Sequence, residues 1–275
     1  MKRVLVDSGC SIKQEETKKY NIELVPLKIL IGETEYQDGI NLPMDEFYRQ
    51  LINDKIFPKT SLPDLGDLEE KVNKYIEIGD EVIILTISSE ISGTYNAIKL
   101  LFGNNEKVKV IDSKSAVGGM RLIVDEINRF RELSLDEIED KVNKFIPRIK
   151  IMAIPETLEY LFRGGRLSKK EWILGSVLKI KPIIGFVDGK VRVLSKKLGL
   201  KLGMQALANA LKECECDKNY GIIASYTYDR ANIDKLVEMT DEQYKKQIRV
   251  YDNLDPVIAA HWGPNAFGYI FIGKE

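Results

Sequence analysis

The chemically most distinctive stretch of the chain is HWGPNAFG, residues 261–268, which contains the only histidine among 275 residues. An imidazole can donate or accept a hydrogen bond near neutral pH. Glycines are used where the backbone turns sharply or approaches another group closely, and this stretch contains two of them. The pattern makes His261 a candidate binding residue, and a purely structural histidine is the alternative interpretation.

A second polar stretch, PKTSLPD, covers residues 58–64. Ser61 and Asp64 have the spacing of a helix capping box, with a proline inside the first turn. That interpretation predicts a helix cap at Ser61, but it gives the hydroxyl of Thr60 no role. Thr60 and Ser61 are therefore candidates for binding as well as for capping.

A third stretch, SSEISGTYNA (88–97), lies where a predicted strand ends and a helix begins. Free backbone N–H groups near Gly93 and the hydroxyls of Ser92 and Thr94 face one point, which suits an anion. An ordinary helix cap explains the same residues. Both interpretations place this stretch at the carboxyl edge of a sheet, where α/β proteins bind ligands.

The fourth stretch is FRGGRLSKK, residues 162–170. Two glycines break a helical run, and Arg166 follows at the turn. A helix end with solvated charges explains this pattern. A cation beside a flexible turn is also suited to an anionic ligand or partner, so Arg166 is the last candidate site residue.

Several familiar catalytic patterns do not occur in the chain. There is no G-x-G-x-x-G, no G-x-x-x-x-G-K-[ST] and no G-x-S-x-G, so dinucleotide binding, self-contained nucleotide hydrolysis and common serine hydrolase chemistry lack their usual residues. The three cysteines are Cys10, Cys214 and Cys216, and the C-x-C pair lacks the further ligands of a zinc site. We therefore predict no metal and no cofactor.

Charge and hydropathy narrow the possible partners and location. The chain has 41 Lys+Arg against 42 Asp+Glu, so nothing indicates nucleic acid as a partner. No segment approaches ~20 consecutive apolar residues, and the N-terminus enters a strand-like run without a signal-peptide pattern. The sequence predicts a cytoplasmic protein without integral membrane association.

The first half of the chain alternates strands with helices. The runs RVLVDS (3–8), EVIILTIS (81–88) and KVKVIDS (107–113) predict a mostly parallel sheet flanked by amphipathic helices. Residues 21–39 predict a hairpin that turns near Gly32. The resulting N-terminal α/β domain is assigned to residues 1–148.

The second half predicts a smaller α+β domain, residues 149–275, with an antiparallel or mixed sheet. A polar amphipathic helix ends near Pro147, and a new strand starts at 149. Residues 181–197 predict a hairpin with Asp188 and Gly189 at its tight turn. The predicted fold class is therefore α/β with two lobes.

Eight stretches in order, from about residue 3 to residue 273, resemble the DegV family of bacterial fatty-acid-binding proteins. They are VDSGCS, PKTSLPD, ISGTYNAI, VIDSKS, FRGGRLSK, LKIKPII, VRVLSKK and HWGPNAFG. The resemblance implies two α/β lobes, in a single DegV domain, that close over a long-chain fatty acid. It also implies a role in lipid transport or phospholipid metabolism as the acyl-carrying subunit of a two-component fatty acid kinase, whose ATP-binding subunit is a separate protein.

The resemblance assigns no catalytic residue to this chain, and it implies that the fatty acid carboxylate contacts residues of the four polar stretches. These are Thr60, Ser92, Arg166 and His261, with Ser61, Gly93 and Thr94 beside them as further donors. The family commonly reads D-S-T-[SA]-D-L near its N-terminus, whereas this chain reads DSGCSI. Asp7 and Ser8 match that pattern, and Gly9 and Cys10 depart from it.

Two other functions remain open at this point. An acyl hydrolase or transferase would use Ser92 or Cys10 as nucleophile and His261 as base. A lipid-sensing regulatory module would bind the same ligand and signal to another protein.

Overall fold

The computed structural model describes residues 1–175 and 179–274, and the chain divides into two compact units. Unit 1 comprises Met1–Pro147 together with Asp255–Val257. Unit 2 comprises Arg148–Leu254 and Ile258–Glu275. Each unit has its own sheets and its own buried core.

Unit 1 contains seven strands among the described residues: β1 (Lys2–Asp7), β2 (Glu23–Val25), β3 (Lys28–Ile31), β4 (Thr34–Gln37), β5 (Lys59–Ser61), β6 (Glu81–Thr86) and β7 (Val108–Asp112). Its α-helices are α1 (Thr17–Tyr20), α2 (Met44–Tyr48), α3 (Leu65–Glu77), α4 (Thr94–Phe102), α5 (Gly118–Arg129) and α6 (Leu135–Phe145). A π-helical turn, Arg49–Asn53, follows α2, and short 3-10 turns cover Ser8–Cys10, Gln14–Glu16 and Ile146–Arg148.

A four-stranded parallel sheet forms the centre of unit 1. Its order is β2-β1-β6-β7, so the predicted parallel sheet is confirmed. The inner strand β6 reads EVIILT, and its apolar side chains are buried on both faces because helices cover the sheet. The carboxyl ends of β1, β6 and β7 lie along one edge, where the buried polar residues Asp7, Ser88 and Ser113 are found.

A second, three-stranded sheet in unit 1 has the order β4-β3-β5. The hairpin between β3 and β4 turns at Gly32, whose φ of 61° suits glycine, as predicted. The capping box predicted at Ser61 is wrong, because Ser61 ends strand β5 and pairs with Lys28. Asp64 caps α3 instead, and its Oδ1 accepts from the N–H groups of Gly66 and Asp67 at 3.1 Å each.

Unit 2 contains the strands β8 (Ile149–Ile154), β9 (Ile180–Val187), β10 (Lys190–Leu198), β11 (Ile222–Tyr226), β12 (Ile248–Asn253) and β13 (Phe267–Ile272). The helices after residue 148 are α7 (Glu159–Arg163), α8 (Lys169–Gly175), α9 (Leu200–Glu213), α10 (Ala231–Met239), α11 (Glu242–Lys245) and α12 (Pro256–Trp262). The first two residues of α12 belong to the segment counted with unit 1.

The sheet of unit 2 is mixed, as predicted. Its order is β10-β9-β8-β13-β11-β12, and β11–β12 is the parallel pair. The hairpin of β9 and β10 turns at Asp188 and Gly189, with φ values of 49° and 79° that suit this dipeptide. The helices α9 and α10 pack against the sheet and close a core that includes Leu207, Leu236 and Phe271.

No helix within residues 1–175 and 179–274 is long and apolar enough to cross a membrane. The stretch LKIKPII begins at Leu178, which lies outside the described residues, and its remainder forms part of β9.

Candidate functional site

The first turn after β1 fixes the carboxyl edge of the parallel sheet. Asp7 accepts hydrogen bonds from the N–H of Gly9 at 2.9 Å and from the N–H of Ile87 at 2.7 Å. It therefore joins the end of β1 to the end of β6. Burial raises the pKa of Asp7 to about 7, although these two hydrogen bonds favour its charged form.

Gly9, one of the departures from the family pattern, has a geometric cause. A Cβ at this position would lie 2.8 Å from Cδ1 of Ile87 and 2.9 Å from Oδ1 of Asp7. Both neighbours are buried, and the Asp7 carboxylate already caps the turn. Only glycine fits at this position without displacing them. With glycine there, Asp7 can join the ends of β1 and β6 although the sequence of the turn is unusual.

Cys10, a further departure, does not have the environment of a nucleophile. Its side chain is fully buried, and its sulfur accepts a hydrogen bond from the N–H of Ile12 at 3.4 Å. Burial raises the pKa of the thiol well above its ordinary value. Since the thiolate is the reactive form, this residue is a poor candidate for covalent catalysis.

The stretch around Ser92 forms the start of α4. Ser92 Oγ accepts from the N–H of Thr94 at 3.3 Å and shares a hydrogen bond with Thr94 Oγ1 at 2.9 Å. Thr94 is fully buried, and Gly93 is exposed. Within the described part of unit 1, no acidic, basic or imidazole side chain hydrogen-bonds to the Ser92 hydroxyl.

The structure brings the PKTS and ISGT stretches together within unit 1. Thr60 lies half-buried on β5, opposite Ile29 of β3. The residue that follows Ser61 is Leu62, and its Cδ2 would lie 3.6 Å from a Cβ added at Gly93. The hydroxyl-bearing end of β5 and the first turn of α4 are therefore neighbours.

A polar cluster at the ends of β6 and β7, which we did not predict, supports the same loop. Asp112 Oδ1 accepts from the N–H groups of Ser89 and Lys114, each at 3.0 Å. The ammonium group of Lys114 lies 2.9 Å from Ser89 Oγ and 3.4 Å from Glu90 Oε1. The stretch VIDSKS contains two of these residues, so the signal was present in the sequence, but their partners were not.

In unit 2, the structure brings His261 and the FRGGR turn together. His261 lies in the last turn of α12. Gly164 packs so closely against Nδ1 of this imidazole that a Cβ there would collide with the ring. The guanidinium of Arg166 donates to the carbonyl oxygen of Gly164. The turn is therefore built around the histidine, and Gly263 similarly packs beneath the ring of Tyr160.

These contacts keep His261 neutral. The residue retains some exposure, but its Nδ1 atom is buried. Burial of the imidazole, followed by the positive charge of Arg166, lowers the pKa of His261 to about 3. A neutral imidazole next to a cationic guanidinium provides one hydrogen-bond donor and one full positive charge, which together suit a carboxylate.

Metal ligation has no visible basis in the part of the chain that the structure describes. No group of three or more histidine, cysteine, aspartate or glutamate side chains there could hold a metal ion. Unit 1 presents hydroxyls and backbone N–H groups, and unit 2 presents a neutral imidazole beside a guanidinium. Each of these groups can interact favourably with an anion.

Comparisons with known proteins agree with this fold and identify the family. Residues 2–274 match a family model described as "Uncharacterised protein, DegV family". A DegV domain-containing protein of Clostridium acetobutylicum is 32% identical over 281 residues, covering 98% of each chain. The chain belongs to the DegV family.

Two solved structures are similar over the whole chain. One is described as a fatty acid binding DegV family protein from Streptococcus agalactiae, with 25% identity and a TM-score of 0.90 over 100% of this chain and 99% of that one. The other is a fat acid (stearic acid)-binding protein from Eubacterium ventriosum, with 27% identity and a TM-score of 0.86 over 100% and 99%. The predicted fold class and family are thereby confirmed.

Proposed function

We propose that this protein binds one long-chain fatty acid, whose carboxylate contacts Thr60, Ser92, Arg166 and His261. Ser61, Gly93 and Thr94 lie beside these residues and add donors. The observation that carries the proposal is the similarity, along the whole chain, to the stearic-acid-binding protein of Eubacterium ventriosum. The polar groups that each unit collects support it independently.

The carboxylate head and the apolar tail of a fatty acid make different contributions to binding. A desolvated carboxylate is costly unless hydrogen-bond donors surround it, which hydroxyls, N–H groups, an imidazole and a guanidinium provide. About fourteen buried CH₂ groups at roughly 0.8 kcal/mol each give roughly 11 kcal/mol before ordering costs. Tail burial therefore sets the affinity, and the polar residues set the orientation of the head.

We further propose that the bound carboxylate is presented to a separate ATP-dependent kinase subunit in the cytoplasm, in lipid transport or phospholipid metabolism. The chain has none of the common phosphate-binding loops, so the phosphoryl donor is held by another protein. Arg166 is followed by the exposed Lys169 and Lys170. This basic rim suits an acidic partner surface or the charge of a transferring phosphoryl group.

Native mass spectrometry tests the central claim. With added palmitate or oleate, we expect an adduct of one fatty acid per chain. Extraction under denaturing conditions should release the acid unchanged, because no covalent bond is formed. Absence of a 1:1 adduct would refute binding, whereas an acyl group that stays attached would favour the Ser92 nucleophile instead.

Removal of single hydroxyls should weaken binding. Thr60→Ala and Ser92→Ala each delete a hydrogen bond to a charged group, worth ~1.5–3 kcal/mol, so the Kd should rise about 10- to 100-fold. Isothermal titration with palmitate measures this change. Thr34→Ala, on the exposed face of β4, is the matched control and should bind normally.

Loss of a helix cap could weaken binding through instability alone. Thermal melts of the unliganded variants separate the two effects, since a direct role predicts a Tm close to that of the parent. Unchanged affinity in both Thr60→Ala and Ser92→Ala would remove these residues from the site.

A further inference from the structure

Three polar contacts hold residues 255–257 within unit 1. The N–H of Asp255 donates to Ser11 Oγ at 3.4 Å, and its carboxylate forms an ion pair with the ammonium group of Lys13. The N–H of Val257 donates to Asp38 Oδ1 at 3.0 Å. Asp38 and Asp255 are only 1% and 5% exposed, so little of either residue is in contact with bulk water. We call this group of contacts the clasp.

The clasp caps helix α12 with a carboxylate from a distant part of the chain. Asp255 immediately precedes the helix, the usual place for a capping side chain, and Pro256 occupies the first helical position. The carboxylate of Asp255 is engaged with Lys13, and Asp38 accepts from Val257 instead. The same helix ends with His261 and Trp262. The start of the helix that carries His261 is therefore fixed by Asp38.

The burial of two neighbouring carboxylates favours retention of one proton. Asp38 Oδ2 is buried and has no hydrogen-bond partner among the described residues, so a full negative charge there would be poorly solvated. Burial, and then the charge of Asp255, raise the pKa of Asp38 to about 8, whereas Ser8, Val257 and Lys13 act in the opposite direction. The ion pair with Lys13 makes Asp255 the carboxylate that bears the charge.

The remaining charged groups near the clasp act mainly on Asp255. Burial raises the pKa of this carboxyl, the ammonium of Lys13 and then the guanidinium of Arg121 lower it, and Glu16 raises it. Cys10 lies close enough for its thiol to sense the charge of Asp255, but it stays protonated. None of these groups supplies Asp38 with a second positive partner.

Solvent can reach the clasp through a cavity of about 360 Å³. Asp255 and Lys13 line this cavity together with Pro256 and residues 39–44. Asp38 is followed in the chain by Gly39, which lines the cavity. Because Asp255 itself lines the cavity, a proton can reach the carboxylate pair from solvent without unfolding of the unit.

We propose that Asp38, which carries the proton of the Asp38–Asp255 pair, is a positioning residue that fixes the start of α12 and thereby His261. Loss of this proton at alkaline pH places two negative charges in the clasp and loosens the helix. The clasp itself is inferred from geometry and does not depend on the proposed function; its effect on ligand binding rests on the role proposed for His261.

The sign of the pH effect follows from linkage. The closed clasp raises the pKa of Asp38, so its stability is fully present below the ordinary pKa of about 4 and is lost as pH rises toward 8. If opening restores an ordinary carboxyl, the opening equilibrium constant increases with pH across this window. Between pH 6 and pH 8 the increase should be on the order of tenfold or more.

Hydrogen exchange of the full chain measures this opening directly. Protection factors of the α12 amides, corrected for base-catalysed intrinsic exchange, should fall at least about tenfold from pH 6 to pH 8 in the parent protein. Asp38→Asn keeps an oxygen that can accept from Val257 and cannot ionise, so its protection factors should stay constant. Asp241→Asn, which alters the exposed cap of α11, is the matched control and should retain the parent's pH dependence.

A second measurement covers the case in which Asp38→Asn does not fold. The ¹³Cγ resonance of Asp38 in the parent protein should titrate well above pH 4. An ordinary carboxyl titration, or an equal pH dependence of α12 protection in Asp38→Asn and the parent, would overturn the proposal. Palmitate affinity is measured separately. If the protein binds palmitate but the protection of α12 does not depend on pH, only the proposal for the clasp is refuted. If the protection of α12 depends on pH but palmitate does not bind, only the proposed function is refuted.

Discussion

Incubated with ATP, magnesium and palmitate, the purified chain alone should form no acyl phosphate, and product should appear only when a separate ATP-dependent kinase subunit is added. Phosphoryl transfer needs groups that hold the nucleotide phosphates and the magnesium ion. The sequence has no Walker-type loop, and the described residues contain no carboxylate cluster able to bind a metal. Trapping the acyl phosphate with hydroxylamine measures the product, and its formation by the chain alone would refute the proposed division of labour.

Arg166 provides a sharper test of the same reaction. The guanidinium of Arg166 donates to the Gly164 carbonyl, and Lys169 and Lys170 follow in the chain. We therefore expect Arg166 to interact with the partner or the phosphoryl group more than to contribute to fatty acid affinity. Arg166→Ala should leave palmitate affinity nearly intact while slowing acyl phosphate formation by the kinase subunit. Arg163→Ala, which removes an exposed cation paired with Glu159, is the matched control. Equal loss of affinity and phosphorylation in Arg166→Ala would show that the contact of Arg166 with the carboxylate acts mainly on affinity.

The elements predicted from sequence were those whose signal is local. An unbroken apolar run predicts the strand β6. An Asp-Gly pair, whose backbone conformation other residues rarely adopt, predicts the hairpin of β9 and β10. The capping box at Ser61 failed for the opposite reason. Pairing of β5 with β3 extends the backbone through Ser61, and the cap moves to Asp64. Spacing alone cannot show which backbone conformation a capping residue will have.

The site shows the same limit. His261 was found as a candidate because it is the sole histidine, but its electrostatic state depends on Gly164, which lies far away in the chain. The hydrogen bond between Val257 and Asp38 joins residues that are 219 positions apart in the chain. Neither residue belongs to a sequence motif that predicts this contact. Such contacts arise from tertiary packing, and a single sequence carries no periodicity or spacing that would reveal them.

Gly164→Ala should lower palmitate affinity about as much as His261→Ala. The added methyl group would occupy the place of the imidazole Nδ1 edge, so the ring must move away from its present position. If His261 donates to the carboxylate, displacing it should raise the Kd about 10- to 100-fold, the value of a hydrogen bond to a charged group. The double variant should be no weaker than either single variant, because both remove one interaction.

The neighbouring Gly165→Ala is the control for that experiment. A Cβ at Gly165 meets no atom within 4 Å, and the positive φ of 75° imposes a modest backbone strain of about 1 kcal/mol. This variant tests the turn without touching the imidazole, and its affinity should stay close to that of the parent. Equal affinity in Gly164→Ala and the parent would show that the ring position does not matter for binding.

The pH dependence of unfolding gives Gly164→Ala a second signature that a merely weakened turn would lack. With the pKa of His261 lowered to about 3 in the folded protein, the unfolded chain binds the proton first as pH falls. The stability that this residue confers is therefore fully present above pH 6.5 and is lost as pH decreases toward 3. Buried carboxyls with raised pKa values, such as Asp7, act in the opposite direction, so the histidine contribution is the difference between the parent and His261→Asn. In Gly164→Ala the displaced, solvated ring regains its ordinary pKa, and urea unfolding at pH 4 to 7 should follow the profile of His261→Asn; a profile that follows the parent would show that the imidazole stays buried beside Arg166.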